Sequence, residues 1–321
     1  MIDISVLDDI RSVLAATADR EPESGLALLG DKRFHFSRSR RTFVMYGHCG
    51  RSWIALGPPV GSSDASAWQS FSADAFDAGR RPAVYNVGAA EIPALRRAGL
   101  TSRQVGLAAH IDLPRFTPPG PARRSWQRLA RDPSVTFEVR PGDAVVAELR
   151  PVSDAWLAQR GGRDMGFSLG GFLEAYLQPL SIGVARHDGT AVAFVSLWTT
   201  AGGRVAVDLM RHHPSAPRRV MDYLFVELFR WARDAGFHTF DLGLAPLYGL
   251  TGGDPLARVG RLVYRYGERL HHFDGVRQFK AKFRPQWTPR FMATVSAREV
   301  PLVLSQVAYL SRSSGAGRSC G

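Results

Sequence analysis

The chain has 321 residues, of which 45% are hydrophobic, and a formal net charge of +12. This composition argues against overall disorder, allows two domains, and favours an anionic partner such as nucleic acid or a phospholipid surface. Two cysteines are too few for a disulfide framework or a four-cysteine zinc site, and no apolar run reaches the ~18 residues of a membrane span. We therefore expect a soluble or peripheral protein of a reducing compartment, with no metal.

The first part of the chain predicts one helix, then strands, then alternating helices and strands. Apolar residues at helical spacing predict a helix that runs to about Arg20. Between residues 27 and 60, three short apolar runs separated by Gly, Ser and Arg predict an antiparallel meander. A helix at 65–79 with Asp64 as its N-cap, a strand at 82–87 and a helix at 91–98 follow.

A proline-rich stretch at 114–121, followed by an arginine-rich one, predicts a domain junction, so we divide the chain into residues 1–130 and 131–321. The second unit predicts the following elements in order: helices at 154–159 (N-cap Asp154) and 171–176, a hairpin of strands 182–186 and 191–199 with its turn at Asp188-Gly189, a strand at 205–209, a helix at 220–235 and a strand at 239–242. Residues 299–312 predict a short amphipathic helix, for which we favour packing on the domain over docking on a bilayer.

Residues 166–170 match the G-x-S-x-G pattern of serine hydrolases. In those enzymes a buried strand precedes the serine, whereas the residues before this motif, RGGRDM, are polar and glycine-rich. We therefore predict a backbone turn beside a ligand, with Ser168 as a substrate-binding residue rather than a nucleophile.

Candidate acid–base residues lie at the end of a predicted strand and in a later segment. Asp208 follows the apolar run VAV and precedes Arg211; a carboxylate there is costly unless it is paired or functional, so an internal ion pair and a catalytic pair are the two alternatives. Glu268 is a candidate general base or ammonium partner, against the alternative of a surface glutamate. The histidine pairs at 212–213 and 271–272 lack the spacing of a shared metal site.

The segment FKAKFRPQWTPR, residues 279–290, places four cationic side chains among aromatics, as expected where phosphates are held and bases are stacked. The chain has only three lysines, and Lys280 and Lys282 are two of them. The compact ammonium of lysine suits a phosphate or a developing oxyanion. Arg284 and Arg290 complete the candidates, and a solvated basic face is the alternative.

Eight segments together resemble one protein family: GDKRFHFS, FVMYG, GRSWIALGPPVG, MGFSLGGF, DLMR, APRRVMDYLFVELFRWA, LGLAPLYGL and FDGVRQFKAKFRPQWTPRF. They are similar to the C-terminal domain of the bacterial lysyl- and alanyl-phosphatidylglycerol synthases, over about residues 28–310. The resemblance implies an α/β fold with mixed sheets, a tandem pair of GNAT-like acyltransferase folds. It also implies transfer of lysine or alanine from aminoacyl-tRNA onto the glycerol hydroxyl of phosphatidylglycerol, which lowers the membrane's negative charge and gives resistance to cationic antimicrobial peptides.

The same resemblance implies the roles of the candidate residues. Its motifs carry over Asp208, Arg211, Glu268, Lys280, Lys282 and Arg290 as candidates for the reaction centre. With the residue patterns above, the expected catalytic set is Asp208, Arg211, Glu268, Lys280 and Lys282, and the expected substrate-binding set is Ser168, Arg284 and Arg290. An aminoacyl ester is already activated, so neither ATP, a metal nor another cofactor is implied. The implied partners are the acceptor end of aminoacyl-tRNA, phosphatidylglycerol and an anionic membrane surface at the cytoplasmic face of the bacterial inner membrane. The family's usual transmembrane flippase region is absent from this sequence, so we expect either a soluble fragment of a longer protein or a member that acts without that region.

Three alternatives remain open at this point. An acetyl-CoA-dependent N-acetyltransferase would share the fold, but the segment HHPSAPRRV before residue 220 lacks the glycine-rich loop that holds pyrophosphate. A peptidoglycan-type aminoacyltransferase would use the same donor and a different acceptor. A non-catalytic RNA- or membrane-binding module would carry basic residues without a buried carboxylate.

Overall fold

A computed structural model of the protein describes residues 4–62, 66–159, 164–250 and 271–312, and of residues 271–274 the backbone alone. Within these ranges, twelve strands form a single mixed sheet that carries helices on both faces. The predicted α/β class is confirmed.

The strands are β1 Arg33–Phe36, β2 Thr42–Cys49, β3 Ser52–Leu56, β4 Val60–Gly61, β5 Arg81–Val87, β6 Thr101–Asp112, β7 Val135–Pro141, β8 Ser181–His187, β9 Thr190–Thr199, β10 Arg204–His212, β11 Thr239–Pro246 and β12 Gln286–Thr294. The α-helices are α1 Ile4–Ala16, α2 Ala67–Asp77, α3 Ile92–Arg97, α4 Gly120–Ala130, α5 Gly142–Gln159, α6 Glu174–Leu177, α7 Val220–Asp234, α8 His271–Ala281 and α9 Val300–Arg312. A 3₁₀ segment, Pro22–Leu29, connects α1 to β1, and two short 3₁₀ turns span Ala89–Glu91 and Ala297–Glu299.

The sheet consists of two similar halves that meet at its centre. Its order is β1-β2-β3-β5-β12-β6-β11-β10-β9-β8-β7, with β4 paired to β2. In the first half an antiparallel meander, β1 to β3, leads through α2 to β5, which is parallel to β3. In the second half β8 to β10 lead through α7 to β11, which is parallel to β10. The antiparallel pair β6 and β12 joins the two halves. The division at residue 130 stays a prediction.

Alternating residues of β9 divide the core of the second half between the two faces of the sheet. Phe194 and Trp198 pack on the face covered by α5 and α6, whereas Val195 and Leu197 pack on the face covered by α7. Each buried side chain of this size contributes about 1.5–3 kcal/mol. Both helix layers are therefore held to the sheet by apolar burial.

The sequence predicted many of these elements to within a few residues. The opening helix ends at Ala16 rather than near Arg20, and the meander, the helix at 220–234 and the hairpin are confirmed. In the hairpin turn, Asp188 and Gly189 have φ of 50° and 77°, as a two-residue turn of the predicted kind requires. The helix predicted at 171–176 is a single turn at 174–177, and the proposed N-cap Asp64 lies outside the described residues.

The start predicted for the helix at 154–159 is wrong. Helix α5 begins at Gly142, so Asp154 lies inside it, and the helix contains Pro151. An internal proline costs about 3 kcal/mol. The buried residues Val146, Leu149 and Val152 pack against the sheet and outweigh this cost, because their burial contributes several kcal/mol.

Helix α9 packs on the domain, as favoured from the sequence. Three of its residues, Val300, Val303 and Val307, are buried in the same hydrophobic cluster as Phe194 and Trp198 of β9. Among the residues that the structure describes, no helix has the length and apolar character to cross a membrane.

Candidate functional site

A β-bulge in β10 places Asp208 and Arg211 on the same face of the sheet. The register between β10 and β9 shifts between Val207 and Met210, so β10 contains an extra residue at this point. On a regular strand, residues three apart face opposite sides. The bulge removes this difference, and so an acidic and a basic side chain reach one region, as the sequence predicted.

Groups of the protein itself surround the carboxylate of Asp208. The hydroxyl of Ser196 donates a hydrogen bond to its Oδ2 at 3.0 Å and accepts one from the backbone N–H of Leu209 at 3.0 Å. Burial raises the pKa of Asp208 to about 6, against the opposing effects of the Ser196 and Tyr176 hydroxyls and of nearby positive charge. A carboxylate with this pKa is ionised at neutral pH and can accept a proton, which suits a general base.

Arg211 is buried and its contacts hold it in one orientation. Its Nη2 donates to Oδ1 of Asp164 at 2.5 Å, and its Nη1 donates to the hydroxyl of Ser153. The guanidinium carbon lies 5.1 Å from the ring centre of Trp156 and 5.8 Å from that of Phe172. Its ion-pair partner is therefore Asp164 rather than Asp208, and the carboxylate of Asp208 is available for another role.

The loop that contains Ser168 packs directly against Asp208. A Cβ added at Gly170 would lie 2.0 Å from Oδ1 of Asp208, so only glycine allows this approach. The turn predicted at Ser168 is confirmed: Phe167 has φ of 54°, and residues 164–166 before it are irregular rather than a strand. The Ser168 hydroxyl lies 2.8 Å from that of Ser311. Substrate binding by Ser168 stays a prediction.

Lys32 approaches this site from the first half of the chain. Its side chain is 0% exposed, and its Nζ donates to Oδ1 of Asp31 at 2.6 Å. Burial lowers the pKa of Lys32, and Asp31 and Asp208 act in the opposite direction. The second oxygen of Asp31 accepts the backbone N–H of Phe167 at 2.5 Å. The pair of residues 31–32 therefore supports both the Ser168 loop and Asp208.

A second charged cluster surrounds Arg290. Its guanidinium donates to both carboxylate oxygens of Glu21, at 3.2 Å and 2.7 Å. Desolvation raises the pKa of Glu21, but the charge and hydrogen bonds of Arg290 outweigh it, so the pKa of Glu21 is lowered overall. Arg290 is thus a buried cation that is already matched by a carboxylate.

Lys280 belongs to the same cluster. Its Nζ donates to a backbone carbonyl of β11 at 2.9 Å. Desolvation lowers the pKa of Lys280 to about 8, against the charges of Asp241 and Glu23. Burial and the charge of Asp241 raise the pKa of Glu23 to about 8, so this carboxyl group is mostly protonated at neutral pH. Burial therefore disfavours the charged form of both Lys280 and Glu23.

The carboxylates of Glu21, Glu23 and Asp241 have ligand oxygens within 4.8 Å of one another, a spacing that could hold a cation. Arg290 and Lys280 supply positive charge to these groups, and Nδ1 of His110 lies 3.4 Å from Oδ2 of Asp241. The carboxylates are therefore balanced by side chains of the chain itself.

The structure separates Lys282 from Lys280. On a helix, residues two apart differ by roughly 200° in direction. Lys282 accordingly turns to the other side, where its Nζ lies 3.1 Å from Oδ1 of buried Asp222. Arg284 is exposed, with φ of 53°. Glu268 lies outside the described residues.

The two clusters flank a point at which neighbouring strands separate. Strands β10 and β11 pair only where Arg204–Ala206 lies beside Thr239–Asp241, although both continue for several residues. Asp208 follows the paired part of β10, and the carbonyl bonded by Lys280 follows the paired part of β11. The segment 21–32 contributes charged residues to both clusters.

A cavity of about 390 Å³ lies beside this segment. Its lining includes Glu21, Glu23, Arg204 and Ser168. Ligand pockets have volumes of this order. A small group bound there would lie beside Glu21, Glu23 and Arg204.

Sequence reasoning missed several members of these clusters. It selected none of Lys32, Glu21, Glu23 and Asp164, although Lys32 is the third of the chain's three lysines. Asp241 had a signal: it lies in the predicted strand at 239–242 among apolar residues, the same pattern that identified Asp208.

The fold is mixed α/β, as the sequence predicted, and it is similar to that of FemX, with a TM-score of 0.58 and 9% identity over 95% of this chain. Residues 11–294 match the family described as phosphatidylglycerol lysyltransferase, C-terminal. The chain belongs to this family.

The chain is similar to known proteins in both sequence and structure. The chain is 30% identical over 303 residues to a phosphatidylglycerol lysyltransferase of Bacillus subtilis, covering 89% of this chain and 35% of that protein. It is 34% identical to the C-terminal domain of a putative lysylphosphatidylglycerol synthetase of Agrobacterium fabrum, with a TM-score of 0.87 and coverage of 98% and 99%. For L-PGS of Bacillus licheniformis the identity is 29% and the TM-score 0.83, with 96% of each chain covered.

Proposed function

We propose that this chain transfers an aminoacyl group from aminoacyl-tRNA to the glycerol hydroxyl of phosphatidylglycerol. The observation that carries the proposal is Asp208, a carboxyl group with a pKa of about 6 held by a strand bulge where β10 and β11 separate, in a member of this family. The names of the relatives support phosphatidylglycerol as the acceptor and lysine as one transferred group. Alanine is the second candidate.

The reaction exchanges one ester for another. The glycerol oxygen attacks the carbonyl carbon of the aminoacyl ester, and the bond from this carbon to the ribose oxygen breaks. The proton of the glycerol hydroxyl is transferred to the ribose oxygen, so no oxidant, reductant or ATP is consumed. Asp208 is the group that would accept and return this proton, a role that typically contributes about 10²–10⁴ in rate.

The cations have different roles in this proposal because their surroundings differ. Arg211 and Arg290 are each paired with a carboxylate, so they orient the site. Lys280 has a pKa lowered to about 8 by burial and would stabilise the oxyanion of the tetrahedral intermediate. Lys282, which is partly exposed, would contact a phosphate. Glu268 remains a proposed partner of the amino group.

The consequence for the membrane follows from charge. Esterifying phosphatidylglycerol with a cationic amino acid reduces the negative surface potential that attracts cationic peptides. We propose that the chain acts in this way at the cytoplasmic face of the bacterial inner membrane, together with a transmembrane flippase region. The peptide-resistance role is part of the same proposal.

The test supplies phosphatidylglycerol vesicles and, separately, labelled lysyl-tRNA and alanyl-tRNA, and follows label in the extracted lipid. Asp208→Asn should lower transfer by about 10²–10⁴, whereas Asp77→Asn, at an exposed carboxylate at the end of α2, should leave it unchanged. Label from one donor alone identifies the amino acid. Absence of lipid label from both donors, with folded protein bound to vesicles, would refute the proposal; label in a muropeptide acceptor would support a peptidoglycan-type enzyme instead.

A further inference from the structure

The exposed side of α4 carries a concentration of arginines. Residues 120–131, GPARRSWQRLAR, include four arginines and no acidic residue. At about 100° per residue these arginines lie within a sector of roughly 140°, opposite the buried face of the helix. The members are Arg123, Arg124, Arg128 and Arg131, all exposed, and the buried residues are Ala122, Ser125 and Leu129.

Contacts with α7 hold this helix in place and extend its positive surface. Arg128 Nη2 donates to the backbone carbonyl of exposed Arg218 at 2.7 Å, in the loop before α7. Trp126 Nε1 donates to Oε1 of Glu227 at 2.7 Å, and the guanidinium of Arg230 lies 5.0 Å from the Trp126 ring centre. We call Arg123, Arg124, Arg128, Arg131 and Arg218 the α4 arginine face.

The charge of this face is not balanced locally. Within the described part of the chain, no carboxylate forms an ion pair with a member of the α4 arginine face, although arginines elsewhere in the protein form many such pairs. The nearby carboxylates of Asp222 and Glu227 are paired with other cations, Arg219, Lys282 and Arg230. Five guanidinium groups without an ion-pair partner among the described residues favour a polyanion.

We propose that the α4 arginine face binds the phosphate backbone of the aminoacyl-tRNA donor. Arginine forms two-pronged hydrogen bonds with phosphate, and several such contacts dominate RNA affinity. A bilayer is the less suitable partner, because interfacial helices also need apolar anchors. The large apolar residues that the structure leaves exposed lie elsewhere, at Ile4, Phe76, Leu169, Leu173, Leu302 and Tyr309. The inference rests on the proposed function for the identity of the RNA.

Two further cations lie next to this face. The loop 213–219 follows β10, the strand of Asp208, and ends at Arg219. Arg219 and Lys282 both pair with buried Asp222 at the start of α7, at 3.2 Å and 3.1 Å. An RNA bound to the α4 arginine face would therefore lie beside Arg219, which directly follows Arg218 in the chain, and beside the Asp222 pair that includes Lys282.

The experiment compares two triple variants with the same change of charge. One is Arg123→Glu/Arg124→Glu/Arg128→Glu; the matched control is Arg96→Glu/Arg97→Glu/Arg103→Glu, at exposed arginines of α3 and β6. Binding of labelled, deacylated tRNA is measured by fluorescence anisotropy at several salt concentrations. Losing three phosphate contacts should make the negative slope of log K against log salt less steep by about 2–3. It should also weaken binding at least tenfold more than the control does.

Vesicles of phosphatidylglycerol and the lipid-transfer assay are run in parallel, so that the two proposals can fail separately. Equal loss of tRNA binding in both variants would refute tRNA binding by the α4 arginine face. Loss of vesicle binding in the face variant, with its tRNA binding intact, would refute it as well. Undiminished lipid transfer and tRNA binding in the face variant would also refute it while the proposed function stands. Loss of tRNA binding in the face variant alone, with no lipid label from the unmodified protein, would support the face and contradict the transfer reaction.

Discussion

Asp208→Asn tests the physical reason for the proposed base. The substitution keeps the shape of the side chain and removes its charge. The rise of the pKa of Asp208 from 3.8 to about 6 corresponds to about 3 kcal/mol by which the folded protein disfavours the charged form. Because the folded-state pKa is raised, the stability linked to this group is fully present below the unfolded pKa and is lost as pH rises through about 6.

At pH 8 the asparagine variant should therefore be at least as stable as the unmodified protein. The gain in unfolding free energy is up to about 3 kcal/mol, reduced by any weakening of the hydrogen bond from Ser196. The difference should shrink to about half at pH 5, because Asp208 is then mostly neutral in the folded protein but still ionised in the unfolded chain. Urea unfolding at both pH values measures it, and lipid transfer on the same samples should be about 10²–10⁴ lower. A variant that is less stable by the same amount at both pH values would refute the reasoning, because the charge would then support the fold.

Three further substitutions probe neighbouring parts of the site. Gly170→Ala places a methyl group 2.0 Å from Oδ1 of Asp208 and should lower transfer and destabilise by about 1–3 kcal/mol; undisturbed transfer and urea unfolding would contradict this packing. Lys32→Met removes a positive charge that lowers the pKa of Asp208, so the acidic limb of the pH–rate profile should move to higher pH; an unmoved limb would exclude this coupling. Glu21→Ala leaves its buried arginine unpaired and should cost about 3–5 kcal/mol, against about 0–1 for Glu174→Ala in an exposed pair. Equal losses of unfolding free energy in the two variants would show that the buried pair contributes no more to stability than the exposed pair.

The sequence by itself determined the local elements of the second half of the chain. The hairpin turn at 188–189 and the helix at 220–234 depend on residues close in sequence, whose backbone preferences and apolar spacing act within a few positions. The same reasoning identified Asp208, because a carboxylate after an apolar strand signals either pairing or function wherever the strand lies.

Tertiary structure decided how the charged residues are grouped. The bulge that brings Asp208 and Arg211 to one face is a feature of β10 paired with β9 and has no signature in either segment alone. Lys280 and Lys282, two residues apart, enter different environments because the helix turns them to different sides. Arg290 and Glu21 pair across almost the entire described chain. Buried charges stabilise a fold only when matched, and the matching partner is chosen by three-dimensional proximity, which spacing along one sequence does not contain.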